Sequence, residues 1–301
     1  MTPVRRHGNL RVVPLAGRTA WLLAVASAVG VAAYGWPLLA DTTGAAGTAH
    51  AGDAAWVFAL VLPLLLAVLL SELGSGALDA KGVAVLGVLV AGGALLRLPT
   101  GGVTGFSLMF FLLLPAARVF GPGFGFVLGA LTMFASGLLT AGVGPWLPFQ
   151  MLGMAWIGLF AGLLPPARGR GEVVLLAAYG ALAGFAYGLL LNLWFWPYAT
   201  SGSSIAFVPG DGLVDNLGRY WAFHLTTSLG FDVPRAVGNA ALMLVGARPV
   251  LAALRRTARR AAFHAQPVFS AAAAEDAGGV AALAPVPVRP EPWPLRAPRP
   301  S

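Results

Sequence analysis

Long stretches without a charged residue constrain this chain more than any other feature. Four of them run over residues 19–40, 54–71, 119–167 and 173–210. A helix needs about 20 residues to cross a hydrocarbon core of ~30 Å, so each of the first two runs is close to one crossing and the third allows two. The chain is also 58% hydrophobic and only 10% charged, which leaves too little polar surface for a soluble domain. We therefore predict an all-α, polytopic integral membrane protein.

Clusters of Gly, Pro and Asp divide the chain into eight predicted transmembrane helices. We place these helices at 19–40, 54–71, 82–97, 105–119, 123–141, 147–164, 173–196 and 233–256. The first is longer than the roughly 7–15 residues of a signal-peptide core, so we expect it to be retained. Asp232 suits the N-cap of the last helix and Pro234 suits its first turn, which leaves 219–229 as a short helix on the outer face.

The positions of Arg and Lys predict the orientation of the bundle, because positively charged residues accumulate on the cytoplasmic side of a membrane protein. One set of alternate helix flanks carries two of them, Arg97 and Arg219. The other set carries thirteen, namely Arg5, Arg6, Arg11, Arg18, Lys81, Arg118, Arg168, Arg170, Arg248, Arg255, Arg256, Arg259 and Arg260. We therefore expect cytoplasmic termini and an even number of crossings, which eight satisfies. The net charge of +8 follows from this topology and does not indicate a nucleic-acid partner.

The chain carries none of the short motifs that enzymes use for phosphate, metal or acyl chemistry. There is no Walker motif, no HExxH, no GxSxG and no pair of acidic residues at metal-ligand spacing. The four histidines, His7, His50, His224 and His264, lie in separate segments, and the absence of cysteine excludes thiolate metal sites. We expect no catalytic residue, no metal and no cofactor, so active transport would need energy from a partner or an ion gradient.

Few polar residues interrupt the predicted helices, and they gather at the outer end of the bundle. Ionisable and polar groups are costly inside a membrane, so they often mark a functional site. With the aromatic residues beside them, the candidate solute-binding residues are Arg97, Trp146, Gln150, Asn192, Trp196, Tyr198, His224, Asp232, Arg235 and Asn239. Asp232, Arg235 and Asn239 are spaced i, i+3 and i+7 and so share one helix face. Interfacial anchoring by the aromatic residues and a purely structural Asp232–Arg235 pair remain alternatives.

Small residues recur at helical spacing on two of the predicted helices. The third helix has Ala84, Gly87, Ala91 and Ala94, and the fifth has Gly125 and Gly129. Such spacing lets helix backbones approach closely in lipid. Two readings stay open, namely packing within the bundle and docking against a partner membrane protein.

Four segments carry a resemblance to a known family. They are Ala-Leu-Leu-Arg-Leu-Pro at 94–99, Phe-Gly-Pro-Gly-Phe-Gly-Phe-Val-Leu-Gly at 120–129, Gly-Pro-Trp-Leu-Pro-Phe-Gln at 144–150 and Phe-Asp-Val-Pro-Arg-Ala-Val-Gly-Asn at 231–239. With the segments in this order, the chain from residue 80 to about 260 resembles the S component of an energy-coupling factor (ECF) vitamin transporter. The S component is the substrate-binding membrane subunit of such a transporter. The resemblance suggests four regions: a cytoplasmic arm at 1–18, two additional transmembrane helices at 19–78, a six-helix substrate-binding core at 79–260 and a disordered cytoplasmic tail at 261–301.

The resemblance implies a bacterial cell-membrane transporter component rather than an enzyme. An S component binds a vitamin or related micronutrient near the outer surface and works with a transmembrane coupling subunit and two ABC-type ATPases. The segments at 144–150 and 231–239 are most similar to members with cobalamin-like or unassigned substrates. The alternatives are an ion-coupled secondary transporter and a membrane-embedded enzyme. The chain shows neither the inverted repeats and midplane charges of the first nor the catalytic constellation of the second.

Overall fold

The computed structural model describes residues 17–39, 49–74, 80–100, 105–199 and 203–262. Within these ranges the chain forms nine α-helices and no strand. The helices are α1 (Gly17–Leu39), α2 (Ala49–Gly74), α3 (Ala80–Arg97), α4 (Met109–Phe120), α5 (Pro122–Leu139), α6 (Leu147–Leu163), α7 (Gly169–Ala199), α8 (Leu213–Thr227) and α9 (Leu229–Ala262). The predicted N-terminal arm and C-terminal tail fall almost entirely outside the described residues.

Five of these helices are long and apolar enough to cross a membrane. The spans are Gly17–Gly35 in α1, Ala80–Arg97 in α3, Pro122–Leu139 in α5, Gly169–Pro197 in α7 and Leu229–Arg259 in α9. Shorter apolar segments lie in α2, α4 and α6. Each of the eight predicted helices therefore has a counterpart, and the all-α fold of a multi-pass membrane protein is confirmed.

The last helix begins earlier than predicted. α9 starts at Leu229, so Asp232 lies in its first turn, and the prediction that Asp232 is the N-cap was wrong. The reason is that the Ser228 carbonyl oxygen accepts hydrogen bonds from the backbone nitrogens of Phe231 and Asp232, each at 2.9 Å. The Asp232 side chain is therefore not needed to cap the backbone of the first turn and can contact other side chains. The short helix predicted at 219–229 is observed as α8, which begins and ends earlier.

α5 and α6 pack with their backbones in contact. Gly125 lies directly against the carbonyl group of Gly158, and Gly129 lies against the carbonyl group of Met154. A methyl group at either glycine of α5 would overlap backbone atoms of α6. Internal packing is therefore the correct reading for the small residues of α5.

Three of the four small residues predicted on α3 lie on an open face. Ala84, Gly87 and Ala91 are exposed, and no described atom lies within 4 Å of the position that a methyl group on Gly87 would take. α3 instead packs on the bundle through buried residues such as Leu86 and Leu89. Ala94 is buried, so internal packing explains this residue but does not explain Ala84, Gly87 and Ala91.

The first helix is joined to α6 by hydrogen bonds as well as apolar packing. The Tyr34 hydroxyl donates to the Phe149 carbonyl oxygen at 2.7 Å. The Trp156 indole nitrogen donates to Ser27 Oγ at 3.0 Å, and Gly30 lies against the ring of Trp156. The pair α1–α2 therefore packs on the side of the bundle formed by α5 and α6.

Candidate functional site

α7 and α9 meet along a row of glycines. Gly180, Gly184 and Gly188, each four residues apart, lie on the face of α7 that contacts α9. A methyl group on Gly184 would lie 2.9 Å from the Ala236 nitrogen, and one on Gly188 would overlap the carboxylate of Asp232. The missing side chains let the polar side chains of α9 lie directly against the α7 backbone.

The three polar residues spaced along α9 all face this glycine row. Asn239 Nδ2 donates to the Gly180 carbonyl oxygen at 3.0 Å. Arg235 Nη1 donates to the Gly184 carbonyl oxygen at 3.1 Å. These bonds satisfy buried polar groups across the helix pair, so Asn239 and Arg235 have a structural role whatever else they do.

Asp232 and Arg235 form a buried ion pair. Arg235 Nη1 lies 2.7 Å from Asp232 Oδ1, and the two side chains are 13% and 1% exposed, respectively. His224 Nε2 lies 3.5 Å from the second carboxylate oxygen, Oδ2. Oδ2 has no hydrogen-bond partner among the described residues. The guanidinium of Arg235 also lies over the Tyr187 ring, 5.6 Å from its centroid, where cation–π attraction operates.

His224 extends this arrangement from α9 to α8 and α7. Asn192 Nδ2 lies 2.9 Å from His224 Nδ1 and also donates to Ser228 Oγ. The other ring nitrogen of His224, Nε2, faces Asp232. We call Asn192, His224, Ser228, Asp232 and Arg235 the polar cluster. It combines an amide, an imidazole, a hydroxyl and an ion pair. These groups lie at the end of the bundle where α8 lies, which we call the α8 end.

An aromatic layer lies over the polar cluster. Trp196 is fully buried, and its indole nitrogen donates to the Ile205 carbonyl oxygen at 2.7 Å. The Trp196 ring lies 5.4 Å from the ring centroids of both Phe207 and Tyr220. Tyr220 stacks in turn on His224, with centroids 6.1 Å apart. The segment after α7 is therefore folded back over the polar cluster.

The segment 203–212 is held in this position by α8. Asn216 Nδ2 donates to the Val208 carbonyl oxygen at 2.9 Å, and its Oδ1 accepts from the Val208 nitrogen at 3.0 Å. Arg219 Nη2 lies 2.5 Å from Asp211 Oδ2. The Arg219 hydrogen bond, with a further one from the Gly212 backbone, lowers the pKa of Asp211, so this exposed pair is charged at neutral pH. We call 203–212 together with α8 the cover.

Arg97 approaches the bundle interior from the end of α3. Its Nη1 donates to Ser136 Oγ at 2.8 Å and lies 3.4 Å from Met133 Sδ, both on α5. It also lies close enough to Tyr187 to interact with it electrostatically, as Arg235 does. The two arginines therefore act on a common tyrosine.

The predicted residues around the start of α6 lie apart from the polar cluster. Trp146 is 40% exposed and donates from its indole nitrogen to the Gly142 carbonyl oxygen at 3.0 Å, so it lies on a surface turn. Gln150 is half-buried, and its Oε1 is a buried atom with no hydrogen-bond partner among the described residues. The side chain of Tyr198 lies outside the described residues.

Sequence reasoning missed several residues that build this site. The glycine row of α7 could have been predicted from the sequence, because glycines repeat every four residues within a long apolar run. Tyr187 and Tyr220 look like ordinary aromatic residues of apolar or amphipathic helices. Ser228 has no local signal, because its role depends on Asn192, 36 residues away in the chain.

One comparison with known proteins identifies the family. The family model for the substrate-specific component of ECF transporters matches residues 81–245, more than half of the chain. The chain belongs to this family. No curated protein and no solved structure matches it significantly.

Membership fixes the broad role of the chain. It is a multi-pass membrane protein and a component of a transporter rather than of an enzyme, and its family associates with a coupling subunit and ATPases. The matched region begins at α3 and contains α4 to α8 and the first half of α9. α1 and α2 precede the matched region.

Proposed function

We propose that the polar cluster binds the solute of this S component, and that the solute is a vitamin or related micronutrient. The observation that carries the proposal is the buried Asp232 carboxylate, one oxygen of which lacks a hydrogen bond among the described residues. A buried charge in a membrane helix is costly unless it is paired or used. Arg235 pairs with Oδ1, whereas Oδ2 faces His224 Nε2 at 3.5 Å without a hydrogen bond and is suited to accept a donor from a solute.

The chemistry of the cluster favours a solute with both polar and aromatic character. Asp232 and Ser228 supply acceptors, and Arg235 supplies a positive charge for a carboxylate or phosphate. Tyr220 and Trp196 supply flat apolar walls, as expected of a ligand site with a few fixed polar groups. A cobalamin-like solute is the finer proposal, based on the resemblance of segments 144–150 and 231–239 described above.

The cover provides a route for entry and closure. Its segment 203–212 meets α7 at Trp196, whose ring lies against Phe207 and whose indole nitrogen donates to the Ile205 carbonyl oxygen. Movement of 203–212 away from Trp196 would open the polar cluster to the outer solution. We propose that the cover opens to admit the solute and closes over it.

We propose that the α8 end faces the outside of a bacterial cell membrane and that both termini are cytoplasmic. Arg118 and Arg255 lie together at the opposite end of the bundle, bound to the same carboxylate, while Arg219 lies on α8. This distribution agrees with the accumulation of positive charge on the cytoplasmic side.

The open face of α3 is the proposed docking surface for the coupling subunit, which acts with two ABC-type ATPases. Ala84, Gly87 and Ala91 are exposed along it, and small residues permit close approach of a partner helix within the membrane. This face is separate from the polar cluster, so solute binding and docking can be tested independently.

The test is titration of the purified full-length protein with a panel of vitamins, including cobalamin, by calorimetry. We expect one vitamin to bind and Asn192→Ala to weaken it about tenfold or more, since a lost hydrogen bond in a dry site costs roughly 1–3 kcal/mol. Thr226→Ala, an exposed α8 position whose hydroxyl bonds only to its own helix, is the matched control and should bind normally. Equal weakening in both variants, or in neither, would contradict the proposal.

A further inference from the structure

A second concave site lies at the opposite end of the bundle. A cleft of about 450 Å³ opens between the first turn of α7 and the last turns of α9. Four arginines of α9 line it, together with one carboxylate, and these residues are Arg248, Arg255, Arg256, Arg259 and Glu172. The cleft is remote from the polar cluster and has the opposite chemical character.

The single carboxylate of the cleft is already neutralised. Glu172 is 2% exposed, and its Oε1 lies 2.6 Å from Arg255 Nη2 and 3.2 Å from Arg118 Nε. Arg118 is also held by the carbonyl oxygens of Leu164 and Pro165, at 2.7 and 2.9 Å. The one buried carboxylate, Glu172, is therefore paired with two arginines, and the remaining arginines of the cleft add further positive charge.

The other three arginines have no counter-charge among the residues that the structure describes. Arg248, Arg256 and Arg259 are exposed, and none of them forms a hydrogen bond or ion pair with any residue that the structure describes. Arg248, Arg255 and Arg259 are spaced i, i+7 and i+11, so they lie along one face of α9. The accumulation of positive charge on the cytoplasmic side explains why arginines occur at this end of α9. It does not explain why they are aligned over a cleft.

The remaining walls suit an anion at a membrane surface. Val173 and Leu251 line the cleft as buried apolar residues. Gly169 lines it at the first turn of α7, where backbone N–H groups and the helix dipole favour negative charge. α7 and α9 are both candidate membrane spans, so their ends lie at the boundary between lipid and water.

We propose that this cleft binds a phosphate-bearing anion, supplied by the headgroup of an anionic phospholipid. Guanidinium groups pair with phosphate oxygens in a bidentate manner, and several of them around one cleft match a phosphodiester. The apolar walls accept the first methylene groups of the acyl chains. Bound lipid would fix the ends of α7 and α9, the two helices that also carry the polar cluster.

The test uses the purified full-length protein in detergent and a short-chain lipid, dioctanoyl phosphatidylglycerol, titrated by tryptophan fluorescence or thermal shift. Dioctanoyl phosphatidylcholine and inorganic phosphate are the parallel probes. The variant is Arg248→Gln/Arg259→Gln, which leaves the Arg255–Glu172–Arg118 contacts intact. Arg170→Gln, an exposed arginine at the same end that does not line the cleft, is the control for general charge.

We expect phosphatidylglycerol to bind and phosphatidylcholine not to bind at the same concentrations. The double variant should bind phosphatidylglycerol about thirtyfold more weakly, since each arginine near a lipid surface contributes roughly fivefold. Competition of inorganic phosphate with bound phosphatidylglycerol would show that the phosphate group is the recognised part, and binding of phosphate with no binding of phosphatidylglycerol would overturn the lipid source. Equal loss in Arg170→Gln, or no difference between the two lipids, would overturn the site.

Discussion

The Asp232–Arg235 pair can be tested by removing only its negative charge. Asp232→Asn keeps the shape of the side chain but withdraws the carboxylate that Arg235 meets at 2.7 Å. Among the described residues, no other carboxylate lies within ion-pair distance of Arg235. The guanidinium, 13% exposed, would then stay in the bundle without a counter-charge.

The expected magnitude follows from the environment of Arg235. Stranding one partner of a buried ion pair costs about 3–5 kcal/mol. The remaining contacts with the Tyr187 ring and the Gly184 carbonyl oxygen offset roughly 1–2 kcal/mol of this. We therefore expect Asp232→Asn to lower the free energy of unfolding by about 1–4 kcal/mol.

The assay is reversible unfolding of the purified protein in mixed detergent micelles, followed by circular dichroism. Arg235→Met and the double variant Asp232→Asn/Arg235→Met complete a double-mutant cycle. The double variant should be more stable than Asp232→Asn alone, because neither charge is then left unpaired. If Asp232→Asn unfolds within about 0.5 kcal/mol of the unmodified protein, the buried ion pair does not stabilise the fold and the reasoning fails.

Three further predictions concern packing, docking and topology. Gly158→Ala should destabilise the protein by about 1–3 kcal/mol because its methyl group would overlap the Gly125 backbone, whereas Gly87→Ala on the open face should be neutral in the same unfolding assay. Gly87→Leu should abolish ATP-dependent uptake by the reconstituted complex yet leave solute affinity unchanged, and loss of both would refute docking through α3. Reporter fusions at residue 47 and after residue 262 should report outside and inside, respectively, and both on one side would contradict the proposed orientation.

The sequence predicted the helices well because the membrane imposes a strong one-dimensional constraint. A charge-free run of about 20 residues has little alternative to spanning the hydrocarbon core. Helix ends were less predictable, as Asp232 shows. Its residue type and the following proline suit an N-cap, but local backbone hydrogen bonds to the Ser228 carbonyl oxygen close the first turn of α9 earlier in the chain.

The candidate site could be predicted only in part. Asn192, His224, Asp232 and Arg235 are rare polar residues in apolar surroundings, and the structure brings them together. Trp146 was selected by the same reasoning but lies on a surface turn, because aromatic residues also serve as interfacial anchors. Contacts between helices that are distant in the sequence could not be predicted from the spacing of residues along each helix.

Solute recognition by the polar cluster is the central claim, and a structure of the protein with its bound vitamin tests it most directly. The account predicts solute density beneath 203–212, with polar solute atoms within hydrogen-bond distance of Asn192, Asp232 or Arg235. The Trp196 and Tyr220 rings should form its walls. Density centred elsewhere, for example beside Gln150 with the polar cluster closed and unchanged, would contradict the account and leave the cluster as a structural joint between α7, α8 and α9.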